Sequence, residues 1–201
     1  MGNVTFGVPE DLAVDLAKSI NAGVFIETGT YKGNTALWAS KHFTQVFTIE
    51  LDEQRYRKTF SRISNMKESE NIVFLQGNSK DQLKYVLDMI NEPVIFWLDA
   101  HGLGKPEEPT TQEDEIPLMQ ELDVIFEWQK RTNQECVILI DDARLFLSPP
   151  PLPYHPEYWP SMGDVKEQFY KHKNWVVNVA KDVIVATPKH CEQIVLDWTK
   201  R

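Results

Sequence analysis

The chain has 201 residues, 42% of them hydrophobic and 25% charged, with 21 basic against 30 acidic side chains for a net charge of −9. That length suits one domain of ordinary soluble composition, burying on the order of 70% of its unfolded surface with no need of disulfides or a structural metal. The acidity disfavours a nucleic-acid partner, whose phosphates call for a basic surface, and apolar runs of about six residues are far too short to span a membrane.

In chain order, apolar residues at helical spacing over 10–20 predict a helical cover within residues 1–22. Val24 to Thr28 reads as a buried strand, 34–42 as a helix, Gln45 to Glu50 as a second strand and 53–66 as a polar helix. A third strand over 71–76 leads to an amphipathic helix over 80–90, and a fourth strand, 94–98, leads to a helix over 116–130. Cys136 to Ile140 is the fifth strand, with Cys136 read as a buried, inert thiol. Short β-branched runs alternating with helices indicate an open α/β sheet of parallel strands covered on both faces. The pattern then changes. Residues 149–160 hold six of the chain's twelve prolines and read as an ordered loop, within a proline-rich segment 148–162. A helix over 164–172 precedes two strands, 175–180 and 183–187, joined at Lys181-Asp182 as a hairpin; residues 188–201 read as a C-terminal tail. The N-terminus lacks a basic patch followed by an apolar run, so the expected location is the cytoplasm. The segment 102–114, rich in glycine, proline and acids, is a second long loop, and its acids Glu107, Glu108, Glu113 and Asp114, with Glu115, read as a solvated lid or helix start.

The first strand runs into Glu27-Thr28-Gly29-Thr30-Tyr31-Lys32-Gly33-Asn34-Thr35. Glycine there permits a tight turn and close approach of a ligand, and the following helix presents its N–H groups. The spacing matches neither G-x-G-x-x-G nor a P-loop. Glu27 would repel a pyrophosphate and suits the ammonium of an amino-acid-like ligand. Glu50, ending the second strand, can accept the two hydroxyls of a ribose. A plain strand-to-helix turn is the competing reading of the glycines.

These residues resemble the Rossmann-like S-adenosylmethionine-dependent methyltransferases, over residues 20–188. In that family an acid-x-Gly-x-x-x-Gly turn follows the first strand, here Glu27, Gly29 and Gly33; an acid closes the second, here Glu50; and the third ends beside the adenine, here Gly77-Asn78-Ser79. Asn78 departs from the acid that many members carry. The resemblance implies a three-layer α/β sandwich around a seven-stranded, mostly parallel sheet with a C-terminal antiparallel hairpin. It also implies S-adenosylmethionine as cofactor, with contacts from Glu27, Gly29, Thr30, Tyr31, Gly33, Asn34, Thr35, Glu50, Asn78, Ser79 and Asp99.

The fourth strand ends in Asp99-Ala100-His101 and the fifth in Asp141-Asp142-Ala143-Arg144. If these strands are neighbours, their ends lie about 4.8 Å apart, and three carboxylates crowd into one crevice. Such crowding demands protonation or a cation. Mg2+ or Mn2+, hard ions that take oxygen ligands, would suit it. Use of Asp141 or Asp142 as a turn or helix cap, and pairing with Arg144, are the competing readings. The cluster resembles catechol and antibiotic-sugar O-methyltransferases, which implies Asp99, Asp141 and Asp142 as metal ligands. Where those relatives carry a base, this chain has Gly102. His101, with Asp99, is the candidate catalytic pair, and His155 in the proline loop is the second candidate base. Tyr154, Tyr158 and Trp159 either line a substrate groove or pack the loop down. The expectation is methyl transfer to a hydroxyl of a small molecule or sugar, with no membrane or nucleic-acid partner and a homodimer compatible with it. A metal-dependent hydrolase and a nucleoside-binding scaffold are the alternatives.

Overall fold

The computed structural model describes residues 7–101, 115–148, 150–151 and 154–201. Seven strands form one sheet in the order β3-β2-β1-β4-β5-β7-β6: β1 Val24–Thr28, β2 Gln45–Glu50, β3 Ile72–Gln76, β4 Val94–Leu98, β5 Cys136–Ile140, β6 Trp175–Ala180 and β7 Val183–Pro188. The first five pair in parallel; β5–β7 and β6–β7 are antiparallel. Every residue of β1, β4 and β5 is buried, which is why these strands read as continuous apolar runs. The two-residue hairpin turn places Lys181 and Asp182 at φ 50° and 70°, the left-handed pair whose twist matches that of the flanking strands.

Side chains alternate between two layers. Val24, Ile26, Phe96, Leu98, Ile138 and Ile140 face helices α4 (Ser79–Leu87), α5 (Leu118–Thr132) and α7 (Met162–Tyr170). Phe25, Val46, Ile95, Trp97, Val137 and Leu139 face α1 (Glu10–Ile20), α2 (Asn34–Ala39), α3 (Glu53–Ile63) and α8 (Glu192–Thr199). A four-residue helix, α6 (Arg144–Leu147), follows β5. Cys136 is buried, and burial pushes its thiol pKa up, so it is inert as expected.

Several boundaries differ from the sequence reading, α3 and α4 ending three residues early at Ile63 and Leu87, and three others differ for a clear local reason. Helix α2 stops at Ala39, three residues short, and the chain folds over to bury Phe43. Helix α7 begins at Met162, because Ser161 and Asp164 form a capping box, so Asp164 lies inside the first turn and does not start the helix. The segment 188–201 is no loose tail: a 3-10 turn leads into α8, whose Trp198 Nε1 donates to Asp11 Oδ1 of α1 at 3.0 Å. Ser161→Ala should lower stability by about 1 kcal/mol, the usual worth of such a cap, read as a lower urea midpoint with an unchanged slope. The 102–114 loop, with Gly102 and the acids Glu107, Glu108, Glu113 and Asp114, lies outside the described residues, while Glu115, expected to be solvated, is buried at 2% exposure by the chain that packs over it. No described helix is long and apolar enough to cross a membrane.

Candidate active site

The C-terminal ends of β2, β1, β4 and β5 stand side by side and bring the expected residues together. Thr28 pairs with Ile49 and Leu98, and Leu98 with Ile140, so the next residue of each strand enters one crevice. Backbone bonds carry the register upward: Asp99 N donates to Thr28 O at 3.0 Å and Asp141 N to Leu98 O at 3.2 Å.

The turn after β1 lies across the end of β2. The N–H groups of Gly29 and Thr30 both donate to Ile49 O, at 2.9 and 3.1 Å. Gly29 has φ +87°, and a Cβ there would stand 2.2 Å from the carbonyl oxygen of Asp99, so the position admits only glycine. Gly33 has φ +65° and packs so closely that a Cβ would meet Ile63 Cδ1 at 2.5 Å. Beyond it Asn34, exposed, and Thr35, half-buried, open α2. Glu50 ties the turn down: Oε2 accepts Tyr31 N at 2.9 Å and Oε1 accepts Asp52 N at 3.0 Å. Each oxygen keeps a second lone pair for a ligand.

Glu27 lies deeper. It is 1% exposed and accepts Thr48 Oγ1 at 2.6 Å, and Thr48 is 2.6 Å from Thr30 Oγ1. Burial, with the charges of Asp99 and Glu50, pushes its pKa up to about 8 against the Thr48 bond. It is a neutral carboxyl at pH 7 unless a cation approaches. Asn78 caps α4, its Oδ1 accepting Lys80 N at 3.1 Å; the adjoining Ser79 is buried, its hydroxyl beside Glu121.

On the other side of the crevice, burial and the Asp141 and Asp142 charges raise Asp99 to about 7, against the pull of His101; Asp141 rises to about 6, chiefly by burial and the Asp142 charge. Asp142 sits at φ 55° and stays ionised, its pKa held low against burial by His101 and Arg144. His101 Nε2 lies 2.9 Å from Asp142 Oδ2 and 3.6 Å from Asp99 Oδ1. Its side chain is 4% exposed. Burial opposes its charge, but the bond to Asp142 and the surrounding acids outweigh that, and its pKa is raised. When protonated, His101 neutralises the acids around it, and its Nε2 is held by Asp142.

The proposed metal set does not fit a divalent ion as arranged. Asp142 has His101 at Oδ2 and the Arg144 guanidinium at Oδ1, 2.5 Å away, basic partners that an incoming divalent ion would face as like charges, while Asp141 Oδ1 accepts Asp142 N at 2.8 Å. Among the described residues no three His, Cys, Asp or Glu side chains group so as to hold a metal. The expectation of Asp99, Asp141 and Asp142 as an Mg2+ or Mn2+ site finds no support in this arrangement, in which side chains supply the counter-charge.

Sequence reasoning missed three features. Glu115 accepts His155 N at 2.8 Å, His155 Nδ1 at 2.5 Å and Trp159 Nε1 at 2.8 Å, pinning the proline-rich segment to the body. His155 is therefore a tethered imidazole at the rim, with its pKa raised by Glu115. Trp159, 8% exposed, packs on His101, Phe146 and Tyr154 with ring centroids 5.1–5.6 Å apart, so its main role is to close the loop over the acids. Tyr154 and Tyr158 remain partly exposed. Glu121 of α5, 1% exposed and raised to about 7 by burial, lies beside the hydroxyls of Ser79 and Thr28. A charge amid Leu118, Leu122 and Ile125 on the apolar face was the available signal. Asp182, on the hairpin turn, grips Arg144 and carried no signal of that.

No protein-family model and no curated protein matches the chain. Solved structures do. The O-methyltransferase TomG of Streptomyces achromogenes, in complex with S-adenosylmethionine, superposes at TM-score 0.59 with 16% identity over 92% of this chain and 82% of that one. An O-methyltransferase from Bacillus cereus bound to S-adenosylhomocysteine gives 0.58 and 17% over 91% and 82%. A methyltransferase from Geobacter sulfurreducens gives 0.56 and 10% over 92% and 80%. The strand order, the reversed last hairpin and these superpositions agree: the chain has the Rossmann-like fold of the S-adenosylmethionine-dependent O-methyltransferases.

Proposed function

We propose that the protein is an S-adenosylmethionine-dependent methyltransferase acting on a hydroxyl of a small molecule or sugar. The observation that carries this reading is the cradle at Gly29 and Glu50. Gly29 lets the turn after β1 close onto the Asp99 backbone, where a Cβ would collide at 2.2 Å, and so sets that turn beside a nearly buried carboxylate whose two oxygens each keep a free lone pair. That acceptor pair fits the two hydroxyls of a ribose lying across the end of β2, with the amino-acid portion over Gly29 toward Glu27 and the base toward Asn78 and Ser79. Bound there, S-adenosylmethionine supplies an electrophilic methyl group on a sulfonium.

The remaining work falls to this chain. Glu27, Glu50 and Asp99 make the crevice a favourable place for a ligand carrying positive charge. Asp99, its side chain 35% exposed, faces the opening, accepts the hydrogen bond of an incoming hydroxyl to fix the oxygen for in-line attack and, with its pKa raised to about 7, takes the proton that the oxygen sheds as the methyl arrives. His101 and Arg144 keep Asp142 ionised and in place beside it. Trp159 closes the floor against water, and Tyr154 and Tyr158 offer stacking faces for a sugar ring. A hydrolase would need the three carboxylates grouped around an ion, and Asp142 is spent on Arg144 and His101.

Titration with S-adenosylhomocysteine tests the reading. At 100 times its Kd the ligand should add about 2.7 kcal/mol of stability, seen as a higher Tm. Glu50→Ala should weaken binding by about 1.5–3 kcal/mol, the worth of hydrogen bonds to a charged acceptor. A Tm unmoved by millimolar ligand, with no heat on mixing, would overturn the proposal.

A further inference from the structure

We infer that Arg144 is the resident cation of the crevice, standing against Asp142 where a divalent ion would otherwise sit, and that Asp182 of the hairpin turn holds it there. Five side chains form a line of alternating charge from the hairpin to the end of β4: Asp182, Arg144, Asp142, His101, Asp99. The Arg144 guanidinium meets Asp142 Oδ1 at 2.5 Å and also pairs with Asp182 Oδ2. His101 Nε2 then bridges Asp142 and Asp99, at 2.9 and 3.6 Å.

Arg144 is placed, not merely nearby. Its own backbone N–H donates to Asp182 Oδ1 at 2.9 Å, and Ala143 N donates to Asp182 O at 2.8 Å, so the hairpin turn is fastened to the start of α6. The Asp182 side chain is 7% exposed. Asp142, in a left-handed conformation, directs its two oxygens to different cations. A guanidinium keeps its charge at any working pH, and its planar fork can serve two carboxylates at once. A divalent ion bound through Asp142 would have to displace that guanidinium or lie against it, with like charges in contact and its own hydration to shed.

The Arg144 side chain is 46% exposed, and its guanidinium has further N–H donors that can orient an acceptor oxygen. That acceptor role rests on the methyltransferase reading; the cation role does not, and the experiment separates them. The full chain is titrated with Mn2+ alone, following free ion by electron paramagnetic resonance, with the S-adenosylhomocysteine melting shift recorded in parallel as the report on the cofactor reading. The wild-type protein should show no saturable site up to about 1 mM. Arg144→Gln should gain one site at least about tenfold tighter, lost again when Asp142→Asn is added. Asp182→Asn, which loosens Arg144 without removing it, should gain a weaker one and serves if Arg144→Gln fails to fold. A tight wild-type site abolished by Asp142→Asn overturns the inference, and so does a lack of any new site in the folded variants.

Discussion

Gly29→Ala should abolish S-adenosylhomocysteine binding and destabilise the protein by on the order of 3–5 kcal/mol. Two independent costs combine. A residue with a Cβ held at φ +87° costs roughly 1–3 kcal/mol in backbone strain. The new methyl would also lie 2.2 Å from the carbonyl oxygen of Asp99 and 2.7 Å from its carbonyl carbon, atoms of a buried backbone that cannot step aside like a side-chain end. Either the β1 turn lifts off Ile49 or β4 moves, and both break the alignment of Thr28 with Leu98. For a chain of this size the loss corresponds to a Tm lower by roughly 10 °C. Stability and binding should fall together. A Gly29→Ala protein with wild-type melting and wild-type affinity would show that the turn can relax freely and that the cradle argument is mistaken.

The order of the elements was legible because parallel strands buried on both faces, such as VFIET and CVILI, leave runs that neither an amphipathic helix nor a half-exposed strand produces. The positions of Gly29, Glu50, Asp99, Asp141 and Asp142 were legible for a related reason: each directly follows or ends such a run, and strand ends are where this architecture exposes side chains to ligands. Their partners were not. Arg144 meets Asp182 across 38 positions, and Glu115 meets His155 across 40. Three acids in a row of strand ends look like a metal site when counted alone. They become an internally compensated network once the hairpin and the loop after β4 bring in Arg144 and His101, and that depends on one left-handed residue, Asp142, which no local pattern announces. Helix α8 escaped notice because much of its packing is against α1, at the opposite end of the chain.

Stability without ligand should fall steadily as pH rises from about 4.5 to 8, while affinity for S-adenosylmethionine rises over the same range. The sign follows from the direction of the shifts. Glu27 is raised to about 8, Glu121 and Asp99 to about 7, and Asp141 to about 6, so the folded chain holds protons that the unfolded chain gives up at its ordinary carboxylate pKa. Glu27 and Glu121, fully buried, then each remove up to about 1.4 kcal/mol per pH unit while still protonated only in the folded state, and the solvent-screened Asp99 removes less. His101 adds to the same trend, because stability from its imidazolium is present at low pH and lost as pH rises through its raised pKa. At the acid end Asp142 and Glu115, whose pKa values are lowered, lose their contribution as pH falls, so the optimum should lie near pH 4–5. Glu27→Gln keeps the shape and removes the proton, so it should flatten the melting profile: higher Tm than wild type at pH 8, little change at pH 4.5. The ligand responds the opposite way. An ammonium settling by Glu27 needs the carboxylate, so affinity should gain up to about tenfold per pH unit until pH 8, then level off, and the variant should lose that slope. Calorimetry in buffers of different ionisation enthalpy would report the proton released on binding. Parallel pH dependence of melting and affinity, or a slope that survives in Glu27→Gln, would place the ligand's positive charge elsewhere in the crevice.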